Sequence, residues 1–299
     1  MGRIYAGGMM RSIGEYKEQV LCSSLDLYYL CNHKENSMRT VRPKKNLGQH
    51  FLVDLDIARR IADTVDACPD IPVLEVGPGM GVLTQYLMPK KRELRVVEID
   101  SESVAYLHEH FPQLAEKVIA GDFLRMDLST LFHGQPFVLT GNYPYDISTQ
   151  IFFHMLDYKE LIPCCTGMIQ REVAQRIASK PGTKAYGILS VMIQAWYDVE
   201  YLFTVDENVF NPPPKVKSAV IRMTRNQVTD LGCDERLFRR VVKTAFNQRR
   251  KMLRVSLRPL FTERQASADF FGHEMMTRRP EQLSVSEFVE LTNRVAREL

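Results

Sequence analysis

The sequence predicts an α/β fold: a parallel sheet covered on both faces by helices, followed by a small all-helical domain. Three observations predict it. Apolar runs of strand length alternate with helical segments across residues 73–178. The first run ends in a glycine turn, Gly77-Pro78-Gly79-Met80-Gly81, and from Asp234 onward the apolar spacing becomes helical. Strand–helix alternation demands crossovers that cover both sheet faces, and it places ligands beyond the carboxyl ends of the strands. At 299 residues and 45% hydrophobic content, the chain can build one large core and one small one.

Segments 73–76, 94–99, 117–120, 137–140 and 166–169 are short and apolar, as strands buried on both faces are. Segments 83–88, 101–110, 148–156 and 172–178 read as the crossover helices, with Ser101 as the N-cap of the second. Two later strands, 197–203 and 218–224, flank Phe210-Asn211-Pro212-Pro213-Pro214, where consecutive prolines dictate a stiff loop. Residues 226–233 read as a linker, and the helical segments after it are punctuated near Gly272 and Pro280. The expected domains are therefore 38–228 and 229–299. Residues 1–37 read as an extension, disordered or foreign to the fold, because Met38 directly precedes the patterned sequence. The apolar-rich stretch 22–31 is interrupted by Asp26 and lacks a cleavage site, so it does not read as a signal peptide.

A net charge of +3 is only mildly basic, so the distribution of charge matters more than its total. No run approaches the ~18 apolar residues of a membrane span, and a cytoplasmic protein without membrane association is expected. The six cysteines show no CxxC spacing, and free thiols are the expected state. His108 and His110, two apart on a helix, point to different faces, and no metal site is expected.

The glycines of the turn fall at i, i+2 and i+4, not at the i, i+2 and i+5 of the dinucleotide fingerprint, which argues against a pyrophosphate ligand. Gly77 instead lets the backbone pass close to a ligand. Glu98, at the end of the second strand, can accept from both hydroxyls of a ribose. Asp122, after the third, can accept from an adenine amine. Three such features at successive strand ends, without a Walker-type Gly-Lys-Ser/Thr run, point to the cationic cofactor S-adenosyl-L-methionine.

Asn142-Tyr143-Pro144-Tyr145 follows the fourth strand. An adenine amine is a poor nucleophile because its lone pair is delocalised into the ring. Acceptors around it, the Asn142 side-chain oxygen and the Tyr143 carbonyl, favour a tetrahedral nitrogen and stabilise developing charge. Pro144 stiffens the loop, Tyr145 can stack on a base extruded from its helix, and Phe210 could close the other face.

With these residues assembled, the chain closely resembles the small-subunit rRNA adenine-N6 dimethyltransferases (the KsgA family). The matching motifs are Asn46-Leu47-Gly48-Gln49-His50-Phe51-Leu52, Glu75-Val76-Gly77-Pro78-Gly79, Val97-Glu98-Ile99-Asp100, Gly121-Asp122, Asn142-Tyr143-Pro144-Tyr145 with Asp146-Ile147-Ser148, Pro214-Lys215-Val216-Lys217-Ser218-Ala219-Val220, and Phe246-Asn247-Gln248-Arg249-Arg250-Lys251. The resemblance implies a Rossmann-like class I methyltransferase sheet. It implies dimethylation of two adjacent adenines near the 3′ end of small-subunit rRNA during ribosome assembly. The implied partner is that rRNA or its precursor particle, and the implied state a monomer. Cofactor contacts would fall on His50, Leu52, Gly77, Glu98, Asp122 and Asn142. Two residues depart from the pattern: His50 stands where the family often has Asn, and Tyr143 replaces a common Leu.

From Arg236 to Arg258 the chain carries nine basic residues and no acidic one. If the segment is continuously helical, Arg239, Lys243, Arg250, Arg254 and Arg258 fall near one face, which predicts phosphate binding. Arg249, Arg250, Lys251 and Arg254 are the expected RNA contacts, with Arg42, Lys44 and Lys45 as a second cluster. Three alternatives stay open: a large-subunit rRNA adenine methylase of the antibiotic-resistance type, a mainly non-catalytic RNA-binding assembly factor, and a DNA adenine methylase.

Overall fold

A computed structural model describes residues 41–44, 49–261 and 266–299. The expectation for residues 1–37 lies outside them. In chain order the strands are β1 (Phe51–Leu52), β2 (Val73–Val76), β3 (Leu94–Glu98), β4 (Val118–Ala120), β5 (Val138–Asn142), β6 (Cys164–Gln170), β7 (Tyr197–Val205), β8 (Phe210–Asn211) and β9 (Ser218–Arg225). The helices are α1 (Leu55–Asp63), α2 (Thr84–Leu87), α3 (Ser101–His110), α4 (Ser148–Asp157), α5 (Arg171–Ile177), α6 (Ile188–Gln194), α7 (Glu235–Asn247), α8 (Leu253–Ser256), α9 (Ala268–Gly272) and α10 (Val285–Glu298), with short 3₁₀ turns between them. The main sheet has seven strands in the order β4-β3-β2-β5-β6-β9-β7. The first five in that order are mutually parallel, and β9 and β7 add antiparallel.

The two-residue period of a strand divides the core. Val73, Val96, Val138, Cys164 and Val220 face one side, against Ala58, Ile61, Leu87 and Leu107 of α1–α3. Their neighbours Leu74, Val97, Leu139, Cys165 and Ile221 face the other, against Ile151, Phe152, Ala174, Ile177 and Val191 of α4–α6. That second cluster runs on without a break through Val241, Phe246, Phe288 and Leu291 of α7 and α10. Residues 41–299 accordingly group as one compact unit. The stretch 226–233, expected as a linker, packs Val228, Leu231 and Cys233 against the same cluster.

Several local expectations are corrected. The N-cap of α3 is Asp100, whose carboxylate accepts from the Glu102 N–H; Ser101 is the first helical residue. The basic C-terminal segment is not one helix. α7 stops at Asn247, Gln248 leaves helical geometry with φ −122° and ψ 53°, and helix resumes only at Leu253. The cysteines are not all free thiols. Cys68, just after the turn that follows α1, meets Cys164 at the start of β6 on the same sheet face, and the two are disulfide-bonded with Cα atoms 5.8 Å apart. No helix among the described residues is long and apolar enough to cross a membrane.

Candidate active site

β2 and β3 are parallel neighbours, so their carboxyl ends lie side by side and both feed one cavity. The turn after β2 is left-handed at Gly77, Gly79 and Gly81, with φ of 68°, 55° and 78°. At Gly81 there is a packing reason as well: a Cβ there would come within 2.4 Å of the Phe111 ring. The turn is tied to the next strand through its amides. Gly77 N–H donates to the Val97 carbonyl at 2.9 Å, and Gly79 N–H donates to Glu98 Oε2 at 3.0 Å. The other Glu98 oxygen accepts from Asp100 N–H at 2.9 Å. Burial pushes the Glu98 carboxyl above its usual range, while these backbone donors pull it back. Its orientation is thus fixed at the cavity wall with lone pairs to spare.

Asp122, which also lines the cavity, accepts from the Leu124 N–H through Oδ1 at 3.0 Å, and its Oδ2 lies 3.4 Å from Arg125 Nε. His50 and Leu52 line the same cavity. The target loop sits directly over the cofactor turn, because a Cβ on Gly77 would lie 3.7 Å from Pro144 Cδ. Asn142 ends β5 half-buried, and its side-chain amide has no partner among the described residues. Tyr143 turns its ring away into the core. Its hydroxyl donates to the Thr166 carbonyl at 3.1 Å, in space left by Gly167, where a Cβ would come within 2.7 Å of the ring. The residue that replaces a common Leu is therefore a packing element, and its carbonyl alone remains for chemistry. Tyr145 lines the cavity, with its hydroxyl bonded to Ser218 Oγ.

Three expected site residues are placed otherwise. Phe210 does not line the cavity. It is 3% exposed and paired with Leu52 in the β1–β8 ribbon, so its ring is in the core. Lys44 is committed to Asp100 and to Glu102, 3.1 Å away. Arg249 is held by Glu281 at 2.7 Å and donates to the carbonyls of Thr183 and Lys184. Arg239 and Lys243 are also engaged, with Asp157 and the Phe153 ring. By contrast Arg42, Arg250, Lys251 and Arg254 are exposed, and their side chains have no partner among the described residues. Lys45 lies outside those residues.

The sequence reading passed over Glu75 as a site residue. It is 1% exposed, lines the cavity, and its Oε2 has no partner among the described residues. Burial pushes its carboxyl up to about 8. The signal was present in the sequence: one carboxylate in the middle of a four-residue strand buried at every position.

Among the described residues, the cavity wall contains Glu75, Glu98, Asp122 and Asp146, and no lysine or arginine. That donor set does not suit a phosphate or pyrophosphate. It fits a cationic nucleoside with a ribose diol and a free amino group, which is what S-adenosyl-L-methionine presents.

Similarity to known proteins identifies the family. The profile of the family described as ribosomal RNA adenine dimethylase matches residues 41–296. Ribosomal RNA small subunit methyltransferase A of Phocaeicola vulgatus is 68% identical over 259 residues, 86% of this chain and 91% of that protein. Among solved structures, a dimethyladenosine transferase from Plasmodium falciparum superposes with a TM-score of 0.68 at 22% identity, over 81% of this chain and 96% of that one. The 23S rRNA methyltransferase ErmE gives 0.56 at 29% identity, over 82% and 99%. The chain belongs to the ribosomal RNA adenine dimethylase family.

Proposed function

We propose that this chain transfers methyl groups from S-adenosyl-L-methionine to the N6 amines of two adjacent adenines near the 3′ end of small-subunit rRNA. The observation that carries the reading is the adjacency of two sites: an acidic, phosphate-rejecting cavity, and the Asn142–Tyr145 loop seated on its glycine turn. The cofactor supplies an electrophilic methyl on a sulfonium. Glu98 takes the ribose diol, Gly77 lets the backbone approach, and Glu75 offers an acceptor to a cationic amine. Asp122 takes the adenine amine of the cofactor, and His50 and Leu52 close the near side.

The Asn142 oxygen and the Tyr143 carbonyl accept from the target N6–H groups, so the nitrogen lone pair turns towards the methyl. Tyr145 supports the extruded ring. After transfer the nitrogen carries positive charge and is strongly acidic, so its proton leaves to water without a strong base. The monomethylated amine, with one N–H left to give to either acceptor, can use the same loop once the spent cofactor is exchanged.

RNA would be held outside the cavity. Arg250, Lys251 and Arg254, with Arg42, are exposed cations free to meet phosphates. On this reading residues 229–299 form the RNA-contacting part. The enzyme works as a monomer, in the cytoplasm where ribosomes assemble, on the small subunit or its precursor particle. The likeness to ErmE keeps a large-subunit substrate as the rival. Incubation with isolated 30S and 50S particles and labelled cofactor separates them: label confined to 30S supports the proposal, and label on 50S supports the rival. Competition with matched DNA tests the DNA alternative.

A further inference from the structure

The site contains one aromatic contact that cofactor binding does not explain. The His50 imidazole lies against the Tyr145 ring, with centroids 5.6 Å apart and planes inclined by 28°. Each ring is also tethered at its far end. His50 Nδ1 lies 2.8 Å from the Pro212 carbonyl, at the head of the proline loop, and the Tyr145 hydroxyl bonds to Ser218 Oγ at the end of that loop. The loop is itself anchored beside His50, because Phe51 pairs with Asn211 and Leu52 with Phe210. Tyr145 is therefore gripped at its hydroxyl and along one ring face by groups on a single closed frame.

We infer that His50 is a positioning residue for methyl transfer: its imidazole backs one face of Tyr145, sets the plane of that ring, and leaves the opposite face to stack on the target adenine. This role rests on the proposed function and refines it. An aromatic ring on a flexible loop stacks well only if its plane is fixed beforehand, and a small error in the plane displaces the N6 amine from the line of attack. An Asn at the same position could keep a hydrogen bond to the proline loop, but it would leave the Tyr145 face bare. Here the loop bond and the ring backing come from one side chain.

The test is a double-mutant cycle read in single-turnover methylation of 30S particles at saturating cofactor, with cofactor affinity from calorimetry and the melting temperature as controls. His50→Ala should lower the rate at saturating cofactor about tenfold, beyond any affinity it loses as part of the cavity wall. His50→Phe, which keeps a ring against Tyr145, should recover most of the rate, and His50→Asn should not. In a Tyr145→Ala background, His50→Ala should change the residual rate by less than about twofold, because the ring it backs is gone.

Independent, multiplying effects in the double variant would overturn the proposal. So would a large loss of cofactor affinity in His50→Ala with an unchanged rate at saturation, which would make His50 a cofactor contact only. A rate at or above wild type in His50→Ala would also overturn it, because the imidazole would then occupy the base's own position. Wild-type protein inactive on both particles would remove the proposed function, and this role with it.

Discussion

Asn142 and Glu75 show how single side chains divide the work. Asn142 carries the one side-chain amide in the target loop, and nothing among the described residues engages it. Asn142→Ala should fold and bind cofactor at least partly, yet lose ~10²-fold or more in single-turnover methylation, as when one transition-state hydrogen-bond partner is removed. A near-wild-type rate would exclude that role. Glu75 makes a prediction in pH. Its carboxyl titrates near 8 in the fold against 4.5 ordinarily. Between those values the native state keeps a proton that the unfolded chain has lost. Stability is then full below about 4.5 and falls as pH rises to about 8, by roughly 1.4 kcal/mol per unit at most. Above that, both states are ionised and the slope ends. Glu75→Gln should flatten the slope of stability, followed by urea titration across the window, while weakening cofactor binding. An unchanged slope would mean the carboxyl is not held protonated.

At the scale of elements, the turn after β2 depends on backbone conformations that only glycine adopts cheaply. Gly81 combines φ +78° with a Phe111 ring that leaves no room for a methyl group. Gly81→Ala should lower stability by about 2–4 kcal/mol and abolish cofactor binding, measured by thermal melts and calorimetry. A variant that melts and binds like wild type would show that the turn is tolerant. The same scale shows what could be read in the chain. β2, β3, β5 and β6 are legible because strands covered on both faces are short, mostly apolar runs, and the motifs end those runs at the right places; β4, half-buried at the sheet edge, is legible from the Gly121-Asp122 motif that follows it.

The β1–β8 ribbon was not visible. Each strand is two residues long, its partner lies far away in sequence, and consecutive prolines pointed to a loop. That ribbon is what buries Phe210, so a ring expected over the target base lies in the core instead. The break after α7 is not legible because charge spacing carries no record of backbone angles, so the basic segment shares one face only on the condition of a continuous helix, which Gln248 ends. Lys44 and Arg249 were counted as free cations because their acidic partners, Asp100 and Glu281, are distant in sequence. The charge run marked the basic segment correctly and could not tell which of its members was spare.

At the scale of the whole molecule, the proposed function assigns its two binding roles to separate surfaces. Glu98 faces the cavity, and Arg250 with Lys251 faces solvent. Glu98→Ala should weaken cofactor binding while leaving particle affinity intact. Arg250→Ala with Lys251→Ala should do the reverse, and should flatten the salt dependence of particle binding by roughly 0.7 to 0.9 log units for each lost phosphate contact. Calorimetry with cofactor, and particle binding at several salt concentrations, measure both. If the basic pair alters only the melting temperature, that surface is structural.

The central claim is that one cavity and one loop convert adenine to its N6-dimethyl form on the small subunit. Label transferred from S-adenosyl-L-methionine to 30S particles, followed by nuclease digestion and identification of the labelled nucleoside, tests it most directly. The expected product is N6,N6-dimethyladenosine at two adjacent positions near the 3′ end of the rRNA, lost in Asn142→Ala. Label on another base, at a single position, or on 50S particles alone would contradict it.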